Sequence, residues 1–277
     1  MDIRFGRLLK MLHHDTRNER GYRMTVQRLV CWFSCGAASA VATKLALVAN
    51  EKTEKLPVVV ARCIVQEEHH DNDRFAKDCQ DWFGVPILNL MNEKYDGSIY
   101  EVFRQKSYIS GISGAPCTLH LKKEVRQKFE NPTDRHVFGY CVEEQSRYDR
   151  FIDANNIDCV APLLEHGLFH HDCLALIKSA GIELPKMYQL GYKHNNCVGC
   201  CKSSASGYWN KIRKDFPDAF DRMAQESRRL GVRMIKDKEN RIFLDELNPN
   251  AGHYQDEPEV QCGIFCEMAK TGINERG

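Results

Sequence analysis

The 277-residue sequence contains no uncharged apolar run of about 18 residues, so we expect no membrane-spanning helix. It also lacks an excess of charge of either sign. The 39 basic and 38 acidic residues give a net charge of +1, which does not by itself require a nucleic acid or an anionic membrane as partner. Internal repeats and low-complexity segments are missing too. These absences favour an ordinary globular protein.

A secretory signal is also missing. Residues 1–23 are basic without a long apolar core, and Asp2, Asp15 and Glu19 argue against a mitochondrial-type presequence. We therefore expect a cytoplasmic protein whose first 23 residues form a disordered or loosely attached extension.

Cysteine is abundant, with 13 residues. Because no secretory signal is present, metal, cluster or redox use is favoured over a disulfide scaffold. Six cysteines stand singly inside apolar patterns, where a free thiol behaves as a small apolar side chain. These six are Cys31, Cys63, Cys79, Cys141, Cys159 and Cys173.

Short apolar runs alternate with helical patterns over residues 24–185. This alternation predicts a Rossmann-like, doubly wound, mostly parallel five-stranded α/β sheet. The predicted strands are Leu29–Phe33, Pro57–Gln66, Val85–Met91, His136–Cys141 and Asp158–Leu164.

The pattern changes at residue 186, where aromatic residues, glycine and cysteine become frequent. We interpret residues 186–277 as a small Cys-rich C-terminal appendage. It is predicted to contain one amphipathic helix, Trp209–Leu230, and a short hairpin around Lys238–Phe243.

The first predicted strand runs through small residues into an Ala-rich helix. Such a turn leaves backbone N–H groups unpaired at a helix N-terminus, where an anion can bind. Ligands of parallel sheets lie at the carboxyl ends of the strands, where Glu67–Asp71 and Cys141–Gln145 also fall. Close packing alone is the alternative explanation for the small residues. The predicted nucleotide-binding residues are Ser34, Cys35, Gly36, Ala37, Ala38 and Ser39.

Five segments together resemble a known family, although each segment alone is a weak signal. The chain resembles the phosphoadenosine-phosphosulfate-reductase-like branch of the adenine-nucleotide α-hydrolase-like (PP-loop) superfamily, of phage or prophage type, over residues 24–270. The segments are SCGAASA at Ser34–Ala40, PCTLHLKK at Pro116–Lys123, YCVEEQSRYDR at Tyr140–Arg150, IELPKMYQLGYKHNNCVGC at Ile182–Cys200 and GYWNKIRKDFP at Gly207–Pro217.

The resemblance implies that this loop holds the pyrophosphate of ATP or the phosphate–sulfate of an adenylyl sulfate. The family pattern of this loop is SGGxDS. Here Cys35 stands at the second position of the pattern, where the family has Gly, and Ala38 stands at the Asp position. Loss of that acid weakens the case for Mg²⁺-assisted chemistry, since a carboxylate is the natural ligand of a hard cation. Lys122 and Arg147 are expected to bind the nucleotide. A solvated helix face and a surface salt-bridge set are their respective alternatives.

The resemblance also implies a [4Fe-4S] cluster held by Cys117, Cys197 and Cys200. The family places a Cys-Cys pair where this chain has Cys117-Thr118, so the fourth ligand stays open between Cys201, Cys262, Cys266 and none. A structural zinc site formed by Cys197, Cys200, Cys262 and Cys266 is the rival hypothesis, because C-x₂-C and C-x₃-C spacings suit zinc.

The implied function is sulfonucleotide reduction or ATP-dependent sulfur transfer, with a nucleotide as substrate and a thiol reductant protein as partner. No catalytic residue is assigned. One alternative is ATP-dependent thiolation or modification of tRNA or DNA bases, for which Tyr208 and Trp209 would be stacking residues. Trp209 is equally explained as a core anchor. A non-catalytic nucleotide- or partner-binding protein is the second alternative.

Overall fold

The computed structural model of the protein describes residues 25–111, 114–155, 157–237 and 240–254. The predicted N-terminal extension, residues 1–23, and the tail cysteines Cys262 and Cys266 lie outside these ranges. Within them, every helix is too short or too polar to cross a membrane.

The centre of the fold is a five-stranded, all-parallel sheet with the strand order β3-β2-β1-β4-β5. The predicted α/β class and the Rossmann-like architecture are confirmed. In the register, Val30 of the central strand lies between Val59 and His136. The chain order reverses between β1 and β4, so ligands are expected at the carboxyl ends of those two strands. The strands are β1 (Arg28–Trp32), β2 (Val58–Cys63), β3 (Ile87–Leu90), β4 (Asp134–Val137) and β5 (Asp158–Val160).

Helices connect and cover the strands. One of them, α4, consists of Pro116–Thr118, a π-helical turn at Leu119–Lys123 and Glu124–Phe129. Single π-turns inside α-helices occur frequently at functional sites. The other helices are α1 (Ala37–Lys52), α2 (Asp71–Phe83), α3 (Ile99–Lys106), α5 (Gln145–Ala154), α6 (Pro162–His166), α7 (His170–Ser179), α8 (Lys186–Gln189), α9 (Ser206–Asp215) and α10 (Pro217–Arg229). Short 3₁₀ turns lie at Glu93–Tyr95, Val142–Glu144 and Leu244–Glu246.

Both faces of the central strand are apolar because successive side chains of β1 point to opposite sides and those of Leu29 to Trp32 are all hydrophobic. Leu29 and Cys31 pack in a core with α1, α2 and α7. Val30 and Trp32 face the other side, where Phe129 at the end of α4 packs against them. This two-sided burial explains why the first strand could be recognised as an uninterrupted apolar run.

A second apolar core joins the C-terminal region to the preceding part of the chain. Trp209 and Met223 pack in one cluster with Val65, Phe103 and Leu121. Residues after 186 therefore share a core with α3 and α4 instead of burying a separate one. The predicted hairpin is present as β6 (Ile235–Asp237) paired with β7 (Asn240–Ile242).

Three predicted boundaries were wrong. The single helix Trp209–Leu230 is two helices, which meet at Phe216 because Pro217 cannot continue a helix through its N-terminal neighbour. The fifth strand ends at Val160, since Pro162 opens α6. The fourth strand starts and ends earlier than predicted, at Asp134–Val137, and leaves Gly139 in the following turn.

Candidate functional site

The loop after β1 leads into the N-terminus of α1. Gly36 is the N-cap residue, with φ −96° and ψ 155°, and has no side chain that could cap the helix. Cys35 before it has a φ of 57°, in the left-handed region that favours glycine. The first N–H groups of α1, from Ala37 to Ser39, have no intrahelical acceptors and form the positive end of the helix dipole. This is the geometry of an anion site.

Two serines hold the loop in this shape. The Ser39 hydroxyl accepts a hydrogen bond from the Ser34 backbone N–H at 3.1 Å and donates one to the Gly36 carbonyl at 2.9 Å. Ser39 is buried. The loop is therefore shaped before any ligand arrives, and the two serines of the predicted motif act first on its own backbone.

The turn after β4 packs directly against this loop. A Cβ atom at Gly139 would lie 2.7 Å from both the Ala38 carbonyl carbon and the Ser39 nitrogen, so only glycine fits there. Sequence reasoning missed this residue. A glycine immediately after a strand at the predicted ligand edge was the available signal.

A buried tyrosine hydroxyl stands at the N-terminus of α1. The Ala37 N–H donates to the Tyr188 oxygen at 3.4 Å, and His170 Nε2 lies 3.5 Å from the same oxygen. Burial raises the pKa of Tyr188 well above its usual value, so the phenol stays protonated at neutral pH. The ring of His194 lies 5.9 Å from that of His170. None of these three residues was predicted.

A buried chain of polar side chains leads away from the loop. Asn195 Nδ2 donates to the Cys35 carbonyl and to Asn72 Oδ1, both at 2.7 Å. Asn72 Nδ2 donates to Glu68 Oε2 at 3.2 Å, and Lys122 Nζ donates to Glu68 Oε1 at 3.1 Å. We call Lys122, Glu68, Asn72 and Asn195 the polar chain.

The predicted Lys122 is thus at the site, on the π-turn of α4. Burial disfavours its charge, but the carboxylate of Glu68 and the neighbouring Cys197 thiol outweigh that effect and raise the pKa of Lys122. It remains a cation near the loop. The adjacent Lys123 is exposed.

Four of the predicted cysteines lie near Lys122, and two of them are in contact. Cys117, at the start of α4, has its Sγ atom 3.8 Å from that of Cys201. The hydrogen bond with Cys201 lowers the pKa of Cys117 to about 7, and Lys202 and Lys122 act in the same direction against burial. Burial raises the pKa of Cys197 and of Cys200, and each thiol is close enough to interact electrostatically with Cys117. We call Cys117, Cys197, Cys200 and Cys201 the thiol group.

The thiol group fits a soft metal in donor type. Thiolates are the preferred ligands of iron–sulfur clusters and of structural zinc, and Lys122 and Lys202 supply compensating positive charge. Two sulfurs on one tetrahedral ion at about 2.3 Å are about 3.8 Å apart, which matches the Cys117–Cys201 pair. As the side chains stand, no three metal-binding groups converge in the part of the chain that the structure describes.

Other predicted residues lie elsewhere. Arg147 is an exposed residue of α5 that pairs with Glu144 and lies 5.4 Å from the centre of the Tyr140 ring. Trp209 is fully buried and donates to the Ser203 carbonyl at 2.9 Å, as expected of a core anchor and not of a stacking surface. Of the six singly placed cysteines, five are buried and Cys63 is partly exposed.

The structure therefore brings the loop Ser34–Ser39 at a helix N-terminus, a half-buried cation and four cysteines to one edge of the sheet. No protein-family model and no curated protein matches this chain.

Proposed function

We propose that this protein is an enzyme resembling the sulfonucleotide reductases, which binds an adenylyl sulfate or ATP on Ser34–Ser39 and acts on sulfur beside the thiol group. The observation that carries the proposal is that the loop and the thiols lie at one rim, with Lys122 between them. Glu68 and Asn72 connect Lys122 toward the loop, and Cys197 lies beside Lys122 on the other side. The motifs that resemble the family support the same assignment.

An adenylyl sulfate suits this site better than Mg-ATP. The loop has Ala38 where a magnesium-binding acid would stand, and no acidic residue lies in the first turn of α1. Backbone N–H groups and Lys122 bind a sulfate or phosphate without a metal. Reduction breaks the S–O bond, so AMP leaves with the bridging oxygen and sulfite forms. A dithiol of a reductant protein supplies the two electrons, becomes a disulfide and releases two protons.

Within this proposal, Cys117, Cys197 and Cys200 hold a [4Fe-4S] cluster and Cys201 is the fourth thiolate. When bound, the cluster would polarise the sulfur-bearing group of the substrate. The chain's own residues position the substrate: the N–H groups of α1 hold one anionic group, and the Lys122 ammonium balances the charge of another. The protonated Tyr188 hydroxyl is available as a donor at the loop.

Anaerobic purification followed by an absorbance spectrum and an iron and zinc assay tests the cluster. We expect a brown protein with about four irons, which Cys197→Ala loses and the buried control Cys159→Ala retains. A colourless protein with one zinc would contradict the cluster and support a structural zinc site.

Calorimetric titration with adenosine 5′-phosphosulfate, its 3′-phosphorylated form and ATP tests the nucleotide site. We expect the sulfonucleotides to bind more tightly than ATP, and sulfite release with a dithiol reductant. If none of the three binds, the proposed function is wrong.

A further inference from the structure

We propose that the polar chain couples the two halves of the site, so that a ligand on the loop changes how readily the backbone at Cys197 and Val198 opens, and a change near Cys197 alters the loop. The ligand class, an adenylyl sulfate, rests on the proposed function. The coupling itself rests on the geometry of the four side chains and can be tested without a ligand.

The chain is continuous, and three of its members are shielded from solvent, while the side chain of Lys122 is 39% exposed. Asn72 and Asn195 are 1% and 6% exposed, and the side chain of Glu68 is 4% exposed. Buried hydrogen bonds are strong because water does not compete for their donors and acceptors. A disturbance at one member is therefore passed to the next and is not absorbed by solvent.

The chain also has a fixed direction. Asn195 Nδ2 must be the donor, since both of its partners are oxygens that only accept. Asn72 then has its oxygen toward Asn195 and its nitrogen toward Glu68. Rotating either amide would break bonds on both sides, so the asparagines rearrange together or not at all.

Each end of the chain reaches a functional segment. At one end the acceptor is the carbonyl of Cys35, the loop residue with left-handed backbone. At the other end, the backbone of Glu68 forms an isolated β-bridge with Cys197, and Val198 N–H donates to the Glu67 carbonyl at 2.8 Å. A shift of the Glu68 segment therefore moves the backbone of the C-x-x-C sequence.

One atom gives the chain a reason to adopt a second arrangement. Asn195 Oδ1 is buried without a hydrogen-bond partner among the described residues. A buried unpaired acceptor is unfavourable, so a loop movement that brings it a donor is stabilised. Coupling requires an element with two discrete arrangements, and in our proposal the asparagine pair is that element.

Hydrogen exchange tests the coupling without any ligand. Glu68→Gln keeps the size of the side chain but weakens its bonds to Asn72 and Lys122. We expect at least a fivefold faster exchange of backbone amides in residues 34–42, a lower bound typical of coupling between sites. The matched control is Asp81→Asn near the C-terminal end of α2, where the carboxylate pairs with exposed Lys77. Unchanged exchange in residues 34–42 of Glu68→Gln would overturn the inference.

Hydrogen exchange of the Val198 backbone amide, which donates to the Glu67 carbonyl, tests the same coupling with a ligand. In the wild type, saturating adenosine 5′-phosphosulfate is expected to slow this exchange at least fivefold. In Asn195→Ala and in the nearly isosteric Asn195→Asp, which cannot donate to the Cys35 carbonyl, the slowing should fall below twofold. The exposed Asn89→Ala serves as control and should behave as the wild type.

Equal slowing in both Asn195 variants, with calorimetry showing that they still bind the ligand, would mean that the ligand protects Val198 directly and would refute the coupling. If the wild type binds no sulfonucleotide, the proposed function fails, and the ligand-free exchange experiment on Glu68→Gln alone decides the coupling. The two failures are thus distinguishable.

Discussion

Replacing Gly139 with alanine tests whether the position of the loop Ser34–Ser39 depends on the turn after β4. The new Cβ would lie 2.7 Å from the Ala38 carbonyl carbon and the Ser39 nitrogen, and 2.8 Å from the Ala38 oxygen. All three are backbone atoms, so no side-chain rotation can relieve the overlap. An ordinary contact begins near 3.4 Å, so the two segments must separate by roughly 0.7 Å.

Two effects of different size follow from this displacement. Overpacking of this kind costs about 1–3 kcal/mol of unfolding free energy. Ligand binding is expected to suffer more in relative terms, because misplacing a positioned group by about 1 Å costs on the order of a hundredfold. We therefore expect the dissociation constant of adenosine 5′-phosphosulfate to rise between about tenfold and a hundredfold.

Urea unfolding and calorimetric titration measure the two effects separately. Gly36→Ala is the matched control for stability, since Gly36 has an ordinary φ of −96° and its Cβ would lie 3.4 Å from the Tyr188 oxygen. That variant should stay within about 1 kcal/mol of the wild type. A Gly139→Ala protein with wild-type stability and affinity would refute the idea that this turn positions the loop.

Three further predictions concern residues outside the loop. Arg147→Ala should change nucleotide affinity less than twofold by calorimetry, since Arg147 is exposed and engaged with Glu144 and Tyr140; a tenfold loss would restore it as a nucleotide ligand. Trp209→Ala should lower the unfolding free energy in urea by about 3–5 kcal/mol, and a loss under about 1 kcal/mol would contradict its anchoring role. Burial lowers the pKa of His136 from 6.5 to about 4. Between pH 4 and pH 6.5 this histidine is therefore protonated in the unfolded chain and neutral in the folded chain. Stability should therefore fall by up to about 3 kcal/mol from pH 7 to pH 4, less so in His136→Gln, and identical pH profiles would exclude this role.

The sheet was predictable where a strand is a short apolar run of consecutive residues, as at residues 58–61 of β2, and less so at β4, whose first three residues, Asp134 to His136, are polar. Leu29 to Trp32 of β1 are apolar throughout since both faces of the strand are covered. The loop after β1 was predictable for the same local reason, because Ser34 to Ser39 are neighbours in the sequence. Pro217 was a sequence signal for a helix boundary after Phe216. It was missed because the apolar residues keep a helical spacing across the proline.

The polar chain could not be predicted because its members are joined only by the fold. Asn195 and Asn72 are 123 positions apart, and neither belongs to a spacing pattern that indicates a buried amide. The Cys117–Cys201 contact spans 84 positions. A count of cysteines indicates that thiols will be used, but which two come into contact depends on how the turn after Cys200 packs against α4.

Cys35 supplies the last prediction, because it separates the role of the loop backbone from that of the side chain. Burial raises the pKa of this thiol to about 12, so it stays protonated and is not a nucleophile at neutral pH. Its contribution to the site is the left-handed backbone, which a non-glycine residue adopts at a cost of about 1–2 kcal/mol.

Cys35→Gly removes that strain, while lost packing and added chain entropy cost about 1 kcal/mol each. The unfolding free energy should thus stay within about 1 kcal/mol of the wild type, and nucleotide affinity within twofold. Cys35→Val should destabilise by more than about 2 kcal/mol, since a β-branched residue strongly disfavours this conformation. A tenfold loss of affinity in a stable Cys35→Gly protein would instead place the thiol in contact with the ligand.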